Sequence, residues 1–143
     1  MNNLRKQLAQ ELIDEFLESD DFPTIASIND GSCNDFANAL NDSFSRAGFT
    51  EYEHYCTYDF ISRSADSGDC EFLKDWKEES MIQFGVPKGY FNTYKTAVEA
   101  VDPRGVVGYH VWLYDGERHY DAECLDGVTN PLELPFFQLF TKE

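Results

Sequence analysis

Apolar residues recur at Leu4, Leu8, Leu12, Ile13, Phe16 and Leu17. That spacing of three and four predicts an amphipathic helix over 4–17 with a single buried stripe. The run Ser19-Asp20-Asp21-Phe22-Pro23 stops it. Thr24 to Ile28 reads as a short approach, and Asn29-Asp30-Gly31-Ser32 as a turn cluster. From Cys33, the positions Phe36, Ala37, Leu40 and Phe44 repeat the helical spacing, so a second helix is expected over 33–46, with Gly48 as its C-terminal stop.

The pattern then changes. Phe49 to Ser62 is rich in Tyr, Thr, Phe and Ile and predicts a strand or extended segment. Ser64 to Asp69 is a loop, and Cys70 to Phe84 reads as a third helix with Phe72, Leu73, Trp76 and Met81 on its inner side. Gly89 to Ala100 is ambiguous, although Tyr90, Tyr94, Ala97, Val98 and Val101 fit a helical stripe. Asp102-Pro103-Arg104-Gly105 is a turn. A hairpin follows, over about 106–124, around Asp115-Gly116, a dipeptide that favours a tight turn between aromatic and β-branched runs. Asp126 to Pro131 is another turn cluster, and Leu132 to Phe140 is apolar enough to pack on the core. Helices followed by a hairpin predict an α+β fold in one domain spanning 1–143.

The hairpin brings chemistry with it. If Asp115 and Gly116 alone form the turn, Tyr114 pairs with Glu117, Trp112 with His119 and His110 with Asp121. Directly opposed residues share a face with Cβ atoms ~5 Å apart, which sets a carboxylate beside an imidazole. A cysteine nucleophile needs such a pair, a base to take its proton and an acceptor to orient the base. Cys33 is the matching thiol. At a helix N-terminus its thiolate is favoured by the helix dipole, and its own N–H is a natural oxyanion donor. Asp30 or Ser32 is placed to cap that helix, and Asn29 is the candidate oxyanion side chain. The competing reading makes Cys33 a small apolar residue on a buried stripe. His119 is expected at the surface near the turn, and Glu123 is the reserve carboxylate should the turn differ in length.

Other features narrow the possibilities. The net charge of −16 argues against direct nucleic-acid binding, which needs Lys and Arg. It also supports an alternative reading, a non-catalytic acidic protein that binds a basic partner as a nucleic-acid mimic or inhibitor. No apolar run approaches the ~18 residues of a membrane span, and the start of the chain lacks the features of a secretory signal. A cytoplasmic protein with free thiols at Cys33, Cys56, Cys70 and Cys124 is therefore expected. The last three read as packing residues. His54 and Cys56 lie two apart, but no CxxC, HExxH or nucleotide motif occurs, so no metal or cofactor is expected.

Gly31-Ser32-Cys33 and the hairpin together resemble the papain-like and transglutaminase-like cysteine hydrolases. The first three match the glycine, serine and cysteine of the papain signature, with Asp30 in place of its first cysteine and Asn34 in place of its aromatic. His110-x-Trp112 followed by Asp121 is similar to the transglutaminase-like branch, where the histidine begins one strand and the aspartate lies on the next. The resemblance implies a Cys33-bearing helix packed on an antiparallel sheet that carries His110 and Asp121. It also implies a peptidase, amidase, deamidase or acyltransferase acting on a protein or peptide. Calcium dependence does not carry over, because no calcium loop is present.

Overall fold

A computed structural model describes residues 3–18, 24–29, 33–61 and 72–142, apart from the side chains at 26, 29 and 58. The fold is α+β. Helices α1 (Asn3–Glu18), α2 (Ile25–Asn29) and α3 (Cys33–Arg46) come first, then strand β1 (Glu53–Cys56) and a 3₁₀ turn (Thr57–Phe60). Helices α4 (Glu78–Ile82) and α5 (Tyr90–Val101) precede strands β2 (Val111–Tyr114), β3 (His119–Asp121) and β4 (Cys124–Val128). Short helix α6 (Pro135–Gln138) lies near the end, flanked by 3₁₀ turns. The strands form one antiparallel sheet in the order β1-β2-β3-β4. No described helix is long and apolar enough to cross a membrane.

The sheet is covered on both faces. Val111, Leu113, Tyr120 and Ala122 pack with Ala9, Ile13, Phe36, Leu40 and Phe44 of α1 and α3. Trp112 points the other way, into a core built from Phe60, Trp76, Tyr94, Val98, Phe136 and Phe137. A strand buried on both sides has no polar face to show, so β2 reads as an unbroken apolar run.

Helix α3 carries the expected stripe: Cys33, Phe36, Ala37, Leu40 and Phe44 are all buried. Its end is a Schellman motif. Gly48 takes φ 95°, the Phe49 amide donates to the Phe44 carbonyl at 2.8 Å, and the Gly48 amide donates to the Ser45 carbonyl at 3.1 Å. The rings of Phe44 and Phe49 meet edge to face across it. In α1 the buried residues are Ala9 and Ile13, while Leu4 is 51 % exposed and drops out of the stripe.

Several expectations need correction. Thr24 to Ile28 is not a mere approach but helix α2, opened by reciprocal bonds between Thr24 and Ser27. The continuous helix expected over 70–84 is broken: Phe72 bridges to Val106, Leu73–Asp75 is a 3₁₀ turn, and only Glu78–Ile82 is α-helical. The extended conformations of Trp76 and Lys77 interrupt it. The 126–131 turn cluster begins inside β4, because Gly127 (φ 79°) admits a left-handed residue where a Cβ would strike the Tyr120 ring.

The hairpin turn is the most consequential correction. Tyr114 pairs with His119, not Glu117, so the connection holds four residues, Asp115 to Arg118. The Asp115 carboxylate explains the extra length. Its Oδ1 accepts from the amides of Glu117 at 2.9 Å and Arg118 at 2.8 Å, and its Oδ2 accepts from the Tyr120 hydroxyl at 2.7 Å. Replacing Asp115 by Ala should therefore lower stability by about 2 kcal/mol, read as a lower urea midpoint at unchanged slope. A midpoint within error of the parent would show that the carboxylate does not hold the turn.

Candidate active site

The turn correction bears directly on the site. The observed register differs from the two-residue-turn count by two positions. Side chains alternate with period two, so an even shift leaves every residue on its expected face. His110 and Asp121 stay on the same side of the sheet, now diagonal neighbours rather than directly opposed. The diagonal is short enough: His110 Nε2 donates to Asp121 Oδ2 at 2.9 Å. Continued by count, the register would set Glu123 opposite His110. Instead the chain turns at Ala122 and Glu123 so that Asp121 pairs with Cys124, and Glu123 falls within that turn. Asp121 is fixed through its other oxygen as well, since Oδ1 accepts from the Glu123 amide at 3.0 Å.

His110 is held by its backbone too. Its carbonyl accepts from the Thr57 amide at 3.1 Å, and its own amide donates to the Thr57 hydroxyl at 3.5 Å. Thr57 is fully buried and continues the β1–β2 ladder by one rung. The imidazole lies nearly parallel to Phe136, with centroids 4.2 Å apart and planes 14° apart, and it meets Trp112 and Phe137 at 5.7 and 5.8 Å. His110 is 0 % and Asp121 3 % exposed.

Cys33 opens α3 and is the more accessible third member, at 7 %. It belongs to the α1–α3 layer but reaches His110 at the start of β2. His110 uses its amide and carbonyl toward β1, so the Val111 amide points to the other side. There the β2–β3 ladder has already ended at Leu113–Tyr120. That unused amide, with the amide of Asn34, donates toward the Cys33 sulfur. With Nε2 engaged by Asp121, Nδ1 is the ring nitrogen left to meet the thiol. It is buried and has no hydrogen-bond partner of ordinary geometry.

The electrostatics follow from these contacts. Burial pushes the Cys33 thiol up, but the adjacent His110 imidazole and the two amides outweigh it, and the net shift is downward. Burial pushes His110 down, but Asp121 and then Cys33 outweigh that, and the net shift is upward. Each group therefore shifts the other toward its charged form. Cys124 behaves oppositely, with burial and the nearby Asp121 charge raising its thiol.

The three expected residues Cys33, His110 and Asp121 thus converge. Asn29 closes α2, but its side chain, like Asp30, Gly31, Ser32 and Cys70, lies outside the described residues. His119 corrects an expectation: it is not at the surface but wholly buried. Its Nδ1 accepts from Trp112 Nε1 at 2.7 Å, and its Nε2 donates to the Phe84 carbonyl at 2.6 Å. Thr57, Phe136 and Phe137 were not singled out for the site. Only the aromatic density of Pro135-Phe136-Phe137 hinted at packing there. Among the described residues no cluster of three metal-ligating side chains occurs. A groove of about 770 Å³ lies between α1 and the β3–β4 turn, lined by Asn3, Gln7, Gln10 and Glu123 and reaching Ala122, the residue after Asp121. No protein-family model, curated protein or solved structure matches this chain.

His119 generates a pH prediction. Burial lowers its folded pKa to about 4, against ~6.5 in an unfolded chain. A depressed histidine stabilises the fold fully above the unfolded value and loses that contribution as pH falls through the folded one. Between pH 7 and pH 4 the loss should be about 3 kcal/mol. Urea midpoints should fall over that window and fall less in His119→Gln. Equal slopes for the two proteins would contradict the assignment.

Proposed function

We propose that this chain is a cysteine hydrolase or acyltransferase of papain-like or transglutaminase-like design, working through Cys33, His110 and Asp121. The observation that carries the reading is the buried bond from His110 Nε2 to Asp121 Oδ2, which leaves Nδ1 to the thiol of Cys33. Asp121 holds the imidazole so that Nδ1 takes the thiol proton. The Cys33 thiolate then attacks a carbonyl carbon of an amide or ester. Negative charge collects on the carbonyl oxygen, and the amides of the first turn of α3, that of Cys33 foremost, are donors of the right kind. The His110 imidazolium returns its proton to the leaving amine or alcohol, and an acyl-thioester remains on Cys33. Water or an acceptor amine, deprotonated by His110, resolves it.

A protein or peptide is the substrate class that the resemblance favours. The net charge of −16 favours a second reading, an acidic protein that binds a basic partner. That reading requires salt-sensitive binding which survives both Cys33→Ala and His110→Ala.

Alkylation separates the two. Iodoacetamide at pH 6 should label the wild-type protein fast, and Cys33→Ala should abolish that label while Cys56→Ala, Cys70→Ala and Cys124→Ala keep it. The rate should inflect well below ~8.5, the value of an ordinary thiol. In Asp121→Asn the inflection should move up, because His110 loses the partner that keeps it charged. Four thiols that react alike would sink the catalytic reading.

A further inference from the structure

We infer that Phe136 is a positioning residue for His110, so that the C-terminal segment around α6 is part of the catalytic apparatus rather than only a cover for the core. This inference rests on the reading of Cys33 and His110 above.

Geometry sets Phe136 apart from its neighbours. Phe137 meets the imidazole edge-on, with planes 81° apart, and Trp112 lies 5.7 Å away. Trp112 is also near parallel to the imidazole, at 23°, but Phe136 lies nearer and flatter, at 4.2 Å and 14°. Hydrophobic burial has no preferred orientation, so burial alone does not require this stacking. An aromatic face carries negative charge density and attracts a cation placed over it. His110 is that cation once it has taken the Cys33 proton. The titratable groups that meet the imidazole are Asp121 from β3 and Cys33 from α3. The β1 side brings Thr57, and α6 brings only Phe136 and Phe137. Phe136 thus faces the imidazole without competing for its proton.

The segment is built to keep that ring in place. Pro135 starts α6 at a position where its missing N–H costs nothing. The Tyr94 hydroxyl, buried on α5, donates to the Phe137 carbonyl at 2.7 Å and ties α6 down one residue from the stacked ring. Gln138 Nε2 donates back to the Leu132 carbonyl at 2.6 Å. On the strand side Gly108 supplies the clearance. A Cβ there would stand 3.3 Å from Phe136 Cζ and 3.5 Å from Phe140 Cζ, crowding the aromatics two residues ahead of His110.

The test compares iodoacetamide alkylation of Cys33 across pH in wild type, Phe136→Leu, Phe136→Tyr and Tyr94→Phe. Leucine keeps the site dry but removes the aromatic face. Phe136→Leu should alkylate about tenfold more slowly at pH 6 and approach the wild-type rate at pH 9, where the thiolate no longer needs the imidazolium. Phe136→Tyr restores the face and should stay within twofold of wild type throughout. Tyr94→Phe leaves the ring in place but cuts its tether, and should move the profile the same way by less. If Phe136→Leu loses thermal stability while its profile superimposes on wild type, Phe136 is packing only and the inference fails. If Phe136→Leu does not fold, an unshifted profile for Tyr94→Phe overturns it. A wild-type profile that already inflects where an ordinary thiol does would instead sink the catalytic reading itself, a distinguishable result.

Discussion

The bond between His110 and Asp121 is the constraint around which this fold is arranged. Both residues are almost wholly removed from water, and polar groups in such a place are costly unless every demand is met. Asp121 meets its demand with two donors, the His110 imidazole and the Glu123 amide. His110 has its backbone satisfied by Thr57 and one ring nitrogen by Asp121. The other nitrogen is left to Cys33. A histidine kept only for packing would satisfy both of its nitrogens, and His119 in the same sheet does so, between the Trp112 indole and the Phe84 carbonyl. The two histidines share a face and a degree of burial. What separates them is one nitrogen without a fixed partner, and the direction in which each is shifted.

That contrast explains why the sheet needs cover on both faces. The His110–Asp121 bond keeps its strength only where water cannot compete for it. Phe136, Phe137 and Trp112 exclude water from one side. Cys33 arrives from the opposite layer, at the open start of β2. Had the β2–β3 ladder continued one rung further, the Val111 amide would have been spent on a strand partner. The early departure of β3 at Asp121 therefore does two things. It aims the carboxylate back at the imidazole, and it leaves an amide for the sulfur.

Much of this was legible from residue order. The α3 stripe of Cys33, Phe36, Ala37, Leu40 and Phe44 and the Gly48 stop follow from helical period and left-handed preference, local properties that tertiary structure did not override. Helix α2 and the broken helix near 72–82 were missed because each is about one turn long, too short for periodicity to register. Strand β4 was hidden by Asp126-Gly127, which reads as a turn and is in fact a glycine pressed against Tyr120 inside a strand. The role of Phe136 had no signal, since an aromatic that packs and an aromatic that stacks on an imidazole are written with the same letter.

The pairing of His110 with Asp121 was reached through a wrong turn length, and the reason it survived is physical. Asp115 binds two amides ahead of it and so adds two residues to the connection, not one. An addition of one would have turned His110 and Asp121 to opposite faces, and no side-chain rotation carries a carboxylate through a sheet. An addition of two costs only a diagonal offset, which an imidazole and a carboxylate can span. Strand parity is thus a firmer guide to a candidate site than register. It identifies which groups can ever meet, whereas register only says how far each must reach.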